Sequence, residues 1–582
     1  MTGRAVIRDA ASGGWLLFGN PREIIEARFP AEVMPALGRI ERGAVKGLWG
    51  AGYVAYEAAP AFDRALVTRP PGEAPLLRFG LYDPPVESID LPPPAGEGIS
   101  PSNWSPSVDR RSYRRAIGEI RRRIGAGETY QVNYTFRLRA PFEGDPYAWF
   151  VRLAAAQESG HAAYLDAGRF AVLSASPELF FDHRGEVVTG RPMKGTAPRG
   201  LTTEEDEARA EGLRSSAKER AENLMIVDMI RNDLGRIAET GSVETSRLFD
   251  TERYPTVWQM TSTVRARTDA PLPEIFRALF PCASVTGAPK ARTMSIIAAL
   301  EDSPRGIYTG AVGFVAPDRR ASFSVAIRTV VVDRERRAAE YGVGGGVLWE
   351  STAEGEYDEC LLKAKVLVEE RTPFSLLETM LWTRDEGWFL AGRHLRRLAG
   401  SARYFGFSFD EISVRLRMES LAATFAKERY RVRLLLDRRG GLVLEPAPLG
   451  ARDDNAAAVA IAAEPVRSDD PFLYHKTTHR RVYDEALAAH PEAEDVILLN
   501  ERGEVTESCF ANVVVEKGGR KITPPVRSGL LAGTFRAELL EEGEIEDGVL
   551  TPDDLRRAER IWLVNSVRGW REAEMSLVSA PR

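Results

Sequence analysis

Cysteine is scarce in this chain of 582 residues. There are three, Cys282, Cys360 and Cys509, each far from the next. That spacing excludes a disulfide framework and a cysteine zinc site, and it predicts a reducing compartment. Long apolar runs are missing too. None approaches the roughly 18 residues that cross a bilayer, and "WLLF" at 15–18 is too short for the core of a signal peptide. A soluble, cytoplasmic protein with no membrane association is expected. Neither sign of charge is in large excess: 78 Lys and Arg stand against 84 Asp and Glu. A net charge of −6 carries no nucleic-acid footprint. No internal repeat is visible. What is present is an ordinary globular composition, 44% hydrophobic and 28% charged, in a chain too long for a single core.

A Pro-, Ser- and Gly-rich stretch at 83–107 reads as a surface crossing inside the first domain. The domain boundary is expected near residue 372. There the helical pattern "YDECLLKAKVLVEE" (357–370) ends at "RTPF", and a new grammar begins with "LLETMLW" as a strand and "HLRRLAGSARYFGF" as a helix. Upstream, "RFAVLSAS", "TGAVGFVA", "ASFSVAIRTVVVD" and "AAEYGVGGGVLW" predict strands, and "SAKERAENLMIVDMIRNDLGRI" (216–237) predicts a strong helix. The mixture argues for an α+β domain built on large sheets.

Chemistry is suggested first by "GRPMKGTAPRG" (190–200), where Lys194 sits among bends and small residues. A surface loop and a site that needs an amine both fit. Glu219 and Glu222 share a helix face, and Glu356 and Glu359 repeat their spacing. The two pairs either converge on one Mg²⁺, which takes one or two carboxylates and keeps other oxygens, or lie on solvated faces. Gly344, Gly345 and Gly346 allow backbone to approach an anion, or mark a bulged strand end. Arg328 falls within a strand pattern.

Together these segments resemble the chorismate-utilising enzymes. The matches are "GETYQVNY", "SASPELF", "RPMKGT", "AENLMIVDMIRNDLGR", "SVTGAPKARTM", "RGIYTGAVGF", "AIRT" and "GVGGGV…EYDE", in family order over about residues 110–368. The resemblance implies a two-sheet fold and a Mg²⁺-dependent site for chorismate, a dicarboxylate. By matching, Glu222 and Glu359 are metal ligands with Glu219 and Glu356 as neighbours. Arg328 and the Gly344–Gly346 backbone bind carboxylate, Thr286, Tyr308 and Lys363 line the pocket, and Glu178 is the acid that protonates the departing hydroxyl. Branches that add water carry a lysine base where this chain has Gln131, whose amide cannot act as a base. Aminodeoxychorismate synthases carry "PIKGT" at the bend and anthranilate synthases "PIAGT". Lys194 therefore implies amination through a covalent lysine, which must be neutral to attack. Residues 1–105 match only loosely, and no counterpart of the "LLES" feedback segment is evident.

After residue 372 the candidates are "FLYHKTTHRRVYDEA", "GEVTESCFANVVV", "TPPVRSGLLAGTFRAELL" and "WLVNSVRGW". The third has a glycine turn opening a helix, which is either a phosphate seat or only a turn. The set resembles the fold-type IV pyridoxal-phosphate enzymes, which include aminodeoxychorismate lyase, over about 374–575. By matching, Lys476 is the cofactor lysine and Glu507 the partner of the pyridine nitrogen. Arg397, Thr534, the Phe535 backbone and Ser566 hold the phosphate.

The expected architecture is thus an α+β chorismate-binding domain at 1–371, followed by a fold-type IV α/β domain at 372–582 that resembles branched-chain aminotransferases. The fusion implies that 4-amino-4-deoxychorismate is made in the first domain and loses pyruvate in the second, giving 4-aminobenzoate for folate. None of the cysteines sits in a glycine-rich nucleophile turn, so ammonia is expected from a separate glutamine amidotransferase subunit, or else from free ammonium. Fold-type IV relatives pair their active sites across a dimer, which implies a homodimer through the second domain. Two alternatives stand beside this reading. One is an anthranilate synthase component joined to an aminotransferase; the other is a synthase with a non-catalytic second module.

Overall fold

The computed structural model describes residues 3–96, 101–367, 373–450 and 455–576. The boundary expected near residue 372 lies outside the described residues. The chain divides into two compact units: one of residues 1–198 and 210–371, the other of residues 199–209 and 372–582.

The first unit is built on two ten-stranded sheets, antiparallel throughout their described pairings. The strand Ala311–Ala316 shows why they face each other. All six residues are buried. Val312, Phe314 and Ala316 join Ile7, Phe18 and Leu165 of the other sheet in a core between the sheets. Ala311 and Val315 point the opposite way, into a core shared with the helices Pro30–Val45, Ala217–Gly235 and Leu272–Leu279. Side chains alternate along a strand, so a strand apolar at every position must be covered on both faces. The other sheet is covered in the same way by the helices Arg110–Gly125 and Pro146–Gln157.

One expectation from the sequence is corrected here. "ASFSVAIRTVVVD" is not one strand but two, Arg320–Val325 and Thr329–Asp333. They belong to different sheets, and Arg328 lies in the crossing between them with φ at 49°. The pattern misled because both pieces are equally apolar. The break needs only one residue in the left-handed region, which hydrophobicity does not report.

The second unit has a four-stranded antiparallel sheet, with Leu376–Thr383 and Arg429–Leu436 at its centre, and an eight-stranded mixed sheet. Residues 199–209 group with it. Arg199 pairs with Asp206 at 2.7 Å and donates to the Tyr404 carbonyl at 2.8 Å, and the Tyr404 hydroxyl donates to the Gly200 carbonyl.

Two candidate active sites

In the first unit, two chain crossings lie side by side. The chain leaves the strand Phe170–Ser176 of one sheet and enters Leu179–Arg184 of the other through Pro177 and Glu178. The Arg328 crossing runs next to it. The Ala175 amide donates to the Arg328 carbonyl (3.1 Å), and the Val325 amide to the Glu178 carbonyl (3.0 Å). The Ser176 hydroxyl caps the Glu178 amide at 3.2 Å. Glu178 and Arg328 are thereby fixed where the two sheets meet. Arg328 donates to the Gln157 amide oxygen.

Lys194 does not lie in a loop of bends. It sits in an edge strand, Met193–Pro198, paired with Val257–Arg267. The register slips between Met193 and Thr196, and Gly195 takes a φ of +97°. This is a bulge, a device that re-aims a side chain. The Asn223 amide clamps the Lys194 carbonyl at 3.2 Å and is itself held by the Ser262 hydroxyl at 2.6 Å.

The three glycines are not a bulge. They run in unbroken register, Gly344 to Thr135, Gly345 to Tyr134 and Gly346 to Asn133. Their missing side chains leave room. A Cβ at Gly346 would collide with the Gln131 amide and come within 2.7 Å of the Lys194 amine; one at Gly345 would meet Glu356 at 2.7 Å. Lys194 and Gln131, carried by different sheets, therefore share one space over Gly346.

The expected metal carboxylates are carried by two capped helices. Ser216 caps Ala217–Gly235 and Thr352 caps Ala353–Ala364. Hydroxyl caps satisfy free amides and fix where the first turn begins, which sets the faces of Glu219, Glu222, Glu356 and Glu359. The charges sense one another. Burial raises the Glu219 carboxyl, and the Glu222 and Glu359 carboxylates push it further. Burial also raises Glu356, whose other oxygen accepts from the Ser351 hydroxyl (2.7 Å). At Glu359 burial is outweighed by Lys363, 2.8 Å away, so its carboxyl falls below the usual range. Lys363 also donates to the Gly344 carbonyl at 3.0 Å. Among the described residues no three of His, Cys, Asp and Glu close into a ready-made cage. An ion that takes one or two carboxylates and completes its shell with substrate and water oxygens fits this open arrangement.

The two groups expected to do chemistry both have pKa values shifted toward their neutral forms. Burial lowers the Lys194 ammonium below the usual lysine range and Lys363 assists, against Glu222, Glu178 and Glu359. Burial lifts Glu178 to about 7, against hydrogen bonds from Ser284 and the Met193 amide and the charge of Lys194. One Glu178 oxygen and the Gln131 amide oxygen are buried without a hydrogen-bond partner. Buried orphan acceptors are costly unless a ligand satisfies them. Thr286 is buried, with its hydroxyl turned back to the carbonyls of Cys282 and Ala283. The Tyr308 ring covers Gly342 and lies 5.0 Å under the Arg137 guanidinium. Sequence reasoning missed Ser284, Asn223 and Ser262, which position the acid and the amine. Small polar residues inside a motif carry no separate signal.

In the second unit a cavity of about 660 Å³ is lined by Lys476, Glu507, Arg397, Thr534 and Ser566 among others. Lys476 is lowered to about 8 by burial and by the charge of Arg397. Glu507 is raised to about 7 by burial; it accepts from the Tyr483 hydroxyl (2.8 Å) and the Leu531 amide (3.1 Å). Gly533 precedes the helix Thr534–Glu541. A Cβ there would strike Asn512, whose amide holds the Leu531 carbonyl at 2.9 Å. A first-turn amide has no intrahelical acceptor, and no described residue accepts from the Thr534 or Phe535 amide. The Phe535 ring packs against Phe389, 6.1 Å between centroids.

Arg397 is more engaged than expected. It grips Glu378 through Nε (2.8 Å) and Nη2 (2.6 Å), and donates from Nη1 to the Ala532 carbonyl (3.0 Å). Of its five N–H groups two are left for an anion. Burial pushes Glu378 upward, but Arg397 and His394 hold it down at about 2. His394 meets Glu378 at 2.7 Å and the Ser566 hydroxyl at 3.0 Å. Glu378, His394 and Tyr483 escaped the sequence reading. An acid inside the apolar "LLETMLW" was the available signal for the first. A lysine with a low pKa, a buried carboxyl across the cavity and free helix amides suit a phosphorylated aldehyde with a ring nitrogen.

Comparison with known proteins defines the class. Residues 86–369 match the family described as chorismate binding enzyme, and residues 375–574 match amino-transferase class IV. The chain thus joins a chorismate-binding-enzyme domain to a class IV aminotransferase domain. An aminodeoxychorismate synthase of Streptomyces pristinaespiralis is 42% identical over 307 residues, which cover 51% of this chain and 42% of that protein. Aminodeoxychorismate synthase component 1 of Salmonella typhimurium is 38% identical over 260 residues, covering 44% and 57%. The chain thus spans about half the length of the curated relatives it matches. Anthranilate synthase component I of Streptococcus pneumoniae aligns over 63% of this chain and 92% of its own, with a TM-score of 0.54 at 24% identity, a likeness of fold. No helix of the described residues is long and apolar enough to cross a membrane.

Proposed function

We propose that the chain makes 4-aminobenzoate in two consecutive reactions: amination of chorismate to 4-amino-4-deoxychorismate, then elimination of pyruvate. The observation that carries the first step is the bulged strand that brings a partly desolvated Lys194 amine over Gly346, beside Gln131. Lys194 attacks the far end of the ring diene. The electron pair moves through the diene and breaks the bond to the hydroxyl, which takes the Glu178 proton and leaves as water. Ammonia then adds to the ring, the diene shifts back, and Lys194 leaves as a free amine. Covalent catalysis divides one hard displacement into two easier ones. Arg328, Lys363 and the glycine strand orient the carboxylates, with Thr286 and Tyr308 in the wall. Glu222 and Glu359, supported by Glu219 and Glu356, hold Mg²⁺, which supplies positive charge against the substrate. The Gln131 amide cannot act as a base to activate water; its free oxygen can accept from an N–H. A separate glutamine amidotransferase supplies the ammonia.

In the second domain Lys476 is the residue that holds pyridoxal phosphate, which supplies an electron sink for the carbon that loses its proton. Lys476 then takes the ring proton. Glu507 keeps a proton on the pyridine nitrogen, and Thr534, the Phe535 amide, Ser566 and Arg397 seat the phosphate. The enolpyruvyl group leaves and is released as pyruvate, and the ring becomes aromatic. The second domain pairs with a copy of itself.

The test is incubation with chorismate, Mg²⁺, ammonium and pyridoxal phosphate, followed by chromatography of the aromatic product. 4-Aminobenzoate is expected; the ortho isomer would replace this reading with an anthranilate synthase. A pH profile checks the acid. Glu178 must be protonated to donate, so amination measured at fixed free ammonia is expected to fall above about pH 7, where this carboxyl ionises. Glu178→Gln should lose about 10²- to 10⁴-fold in rate and abolish that alkaline limb. A variant that keeps the limb would assign the proton elsewhere.

A further inference from the structure

The cavity of the second unit holds more positive charge than a cofactor phosphate accounts for. Seven cationic side chains line it against three carboxylates, Glu494, Asp495 and Glu507. Most of the cations are already occupied. Arg397 grips Glu378, Arg433 pairs with Glu445 at 3.0 Å, and Arg571 with Glu494 at 2.8 Å. Lys476 is committed to the cofactor. Arg480 donates to the Cys509 carbonyl at 2.7 Å and stacks on Tyr483. Arg431 and Arg568 differ. Both are exposed at the cavity wall, and neither makes an ion pair with a described residue.

Arg568 is held in a built turn. The Asn565 side-chain oxygen accepts from the amides of Val567 (3.0 Å) and Arg568 (2.8 Å), and the Asn565 amide group donates to the Phe510 carbonyl at 3.3 Å. Asn565 pairs with Gly569 in the strand register, which closes the turn tightly. The turn buries Ser566 against His394 and leaves Arg568 at the rim. Arg431 stands on the regular strand Arg429–Leu436, next to buried Val432. Two rigid backbones thus present two uncompensated guanidinium groups to one cavity. Arginine forks match carboxylates, and unpaired cations on a concave wall raise the local concentration of anions.

We infer that Arg568 and Arg431 are the carboxylate readers of the second site, and that they select dicarboxylate amines over ordinary monocarboxylate amino acids. The inference rests on the proposed lyase reading, whose substrate carries two carboxylates, and names the residues that recognise them. It also gives a role to Arg568 in the "NSVRGW" segment, of which the cofactor reading uses only Ser566. Selectivity of this kind arises because an amine with one carboxylate engages only one of the two guanidinium groups and forgoes the second charge-assisted pair.

The experiment is titration of the full chain, loaded with pyridoxal phosphate, by maleate and separately by acetate, followed by calorimetry and by the visible absorbance of the cofactor. Maleate is expected to bind more tightly than acetate. Arg568→Gln and Arg431→Gln are each expected to weaken maleate about tenfold, some 1.4 kcal/mol, with cofactor absorbance and acetate binding unchanged. Arg568→Lys should restore part of the loss. On supplied 4-amino-4-deoxychorismate the same variants should raise KM more than they lower kcat. Wild-type maleate affinity in both glutamine variants, with the cofactor in place, would overturn the inference. The binding arm needs no turnover. If the unaltered chain releases no pyruvate, the lyase reading fails while the maleate result still decides the arginines. If turnover is normal and KM does not move, the arginines fail while the reading stands.

Discussion

Lys194→Ala is expected to stop formation of 4-aminobenzoate from chorismate and ammonium, while pyruvate release from supplied 4-amino-4-deoxychorismate proceeds at the rate of the unaltered chain. The loss should be on the order of 10³-fold or more, as for removal of other covalent nucleophiles. The size follows from the site. Burial lowers the lysine pKa, which favours the neutral, nucleophilic amine. The bulge at Gly195 and the Asn223 clamp hold it in one direction. Alanine removes the nucleophile and leaves the strand pairing intact, so folding should not be the cause. Retention of full amination would show that ammonia attacks directly and that Lys194 only contributes charge.

Lys476→Ala is expected to give the mirror result. Chorismate should be consumed and 4-amino-4-deoxychorismate should accumulate, with pyruvate release reduced on the order of 10³-fold or more. The visible absorbance of the cofactor bound through lysine should disappear. Lys476 is half-buried in the cavity wall, and desolvation of its amine brings its pKa to about 8, which leaves a usable neutral fraction near neutral pH. It has Glu507 across the same cavity. Pyruvate release at the original rate in this variant would mean that the second unit does not perform the elimination. The two variants mixed in one vessel should recover 4-aminobenzoate, because each supplies the step that the other lacks.

The sequence carried these residues with uneven clarity. Helical spacing alone put Glu219 with Glu222 and Glu356 with Glu359, because residues three apart share a helix face whatever surrounds them. It could not say that both pairs belong to one electrostatic group, since that depends on how two distant helices dock. The triple glycine was legible as unusual, but its physical reason was not. The segment is a regular strand whose missing side chains make space for Lys194 and Gln131. Arg328 read as a strand residue because apolar alternation continues on both sides of it. A single positive φ at that residue moves the chain from one sheet to the other.

In the second unit, Lys476 beside His475 and Glu507 ahead of the apolar "FANVVV" could be picked out, and the family resemblance gave them their expected roles. Glu378 and His394 did not, although they lock Arg397 and Ser566 in place. Their partners lie 16 or more positions away along the chain, and contacts at that separation leave no periodic trace.

By itself the sequence determined the order of the two family matches and the residue types at each candidate site, a lysine at 194 and a glutamine at 131 among them, because each is written in residue identity and local spacing. The tertiary structure alone decided which way Lys194 points, how far Glu178 and Lys476 depart from their ordinary charge, and which arginines of the second cavity lack a partner. Those are properties of desolvation and of contacts between remote segments, and they exist only once the sheets have closed around the groups concerned.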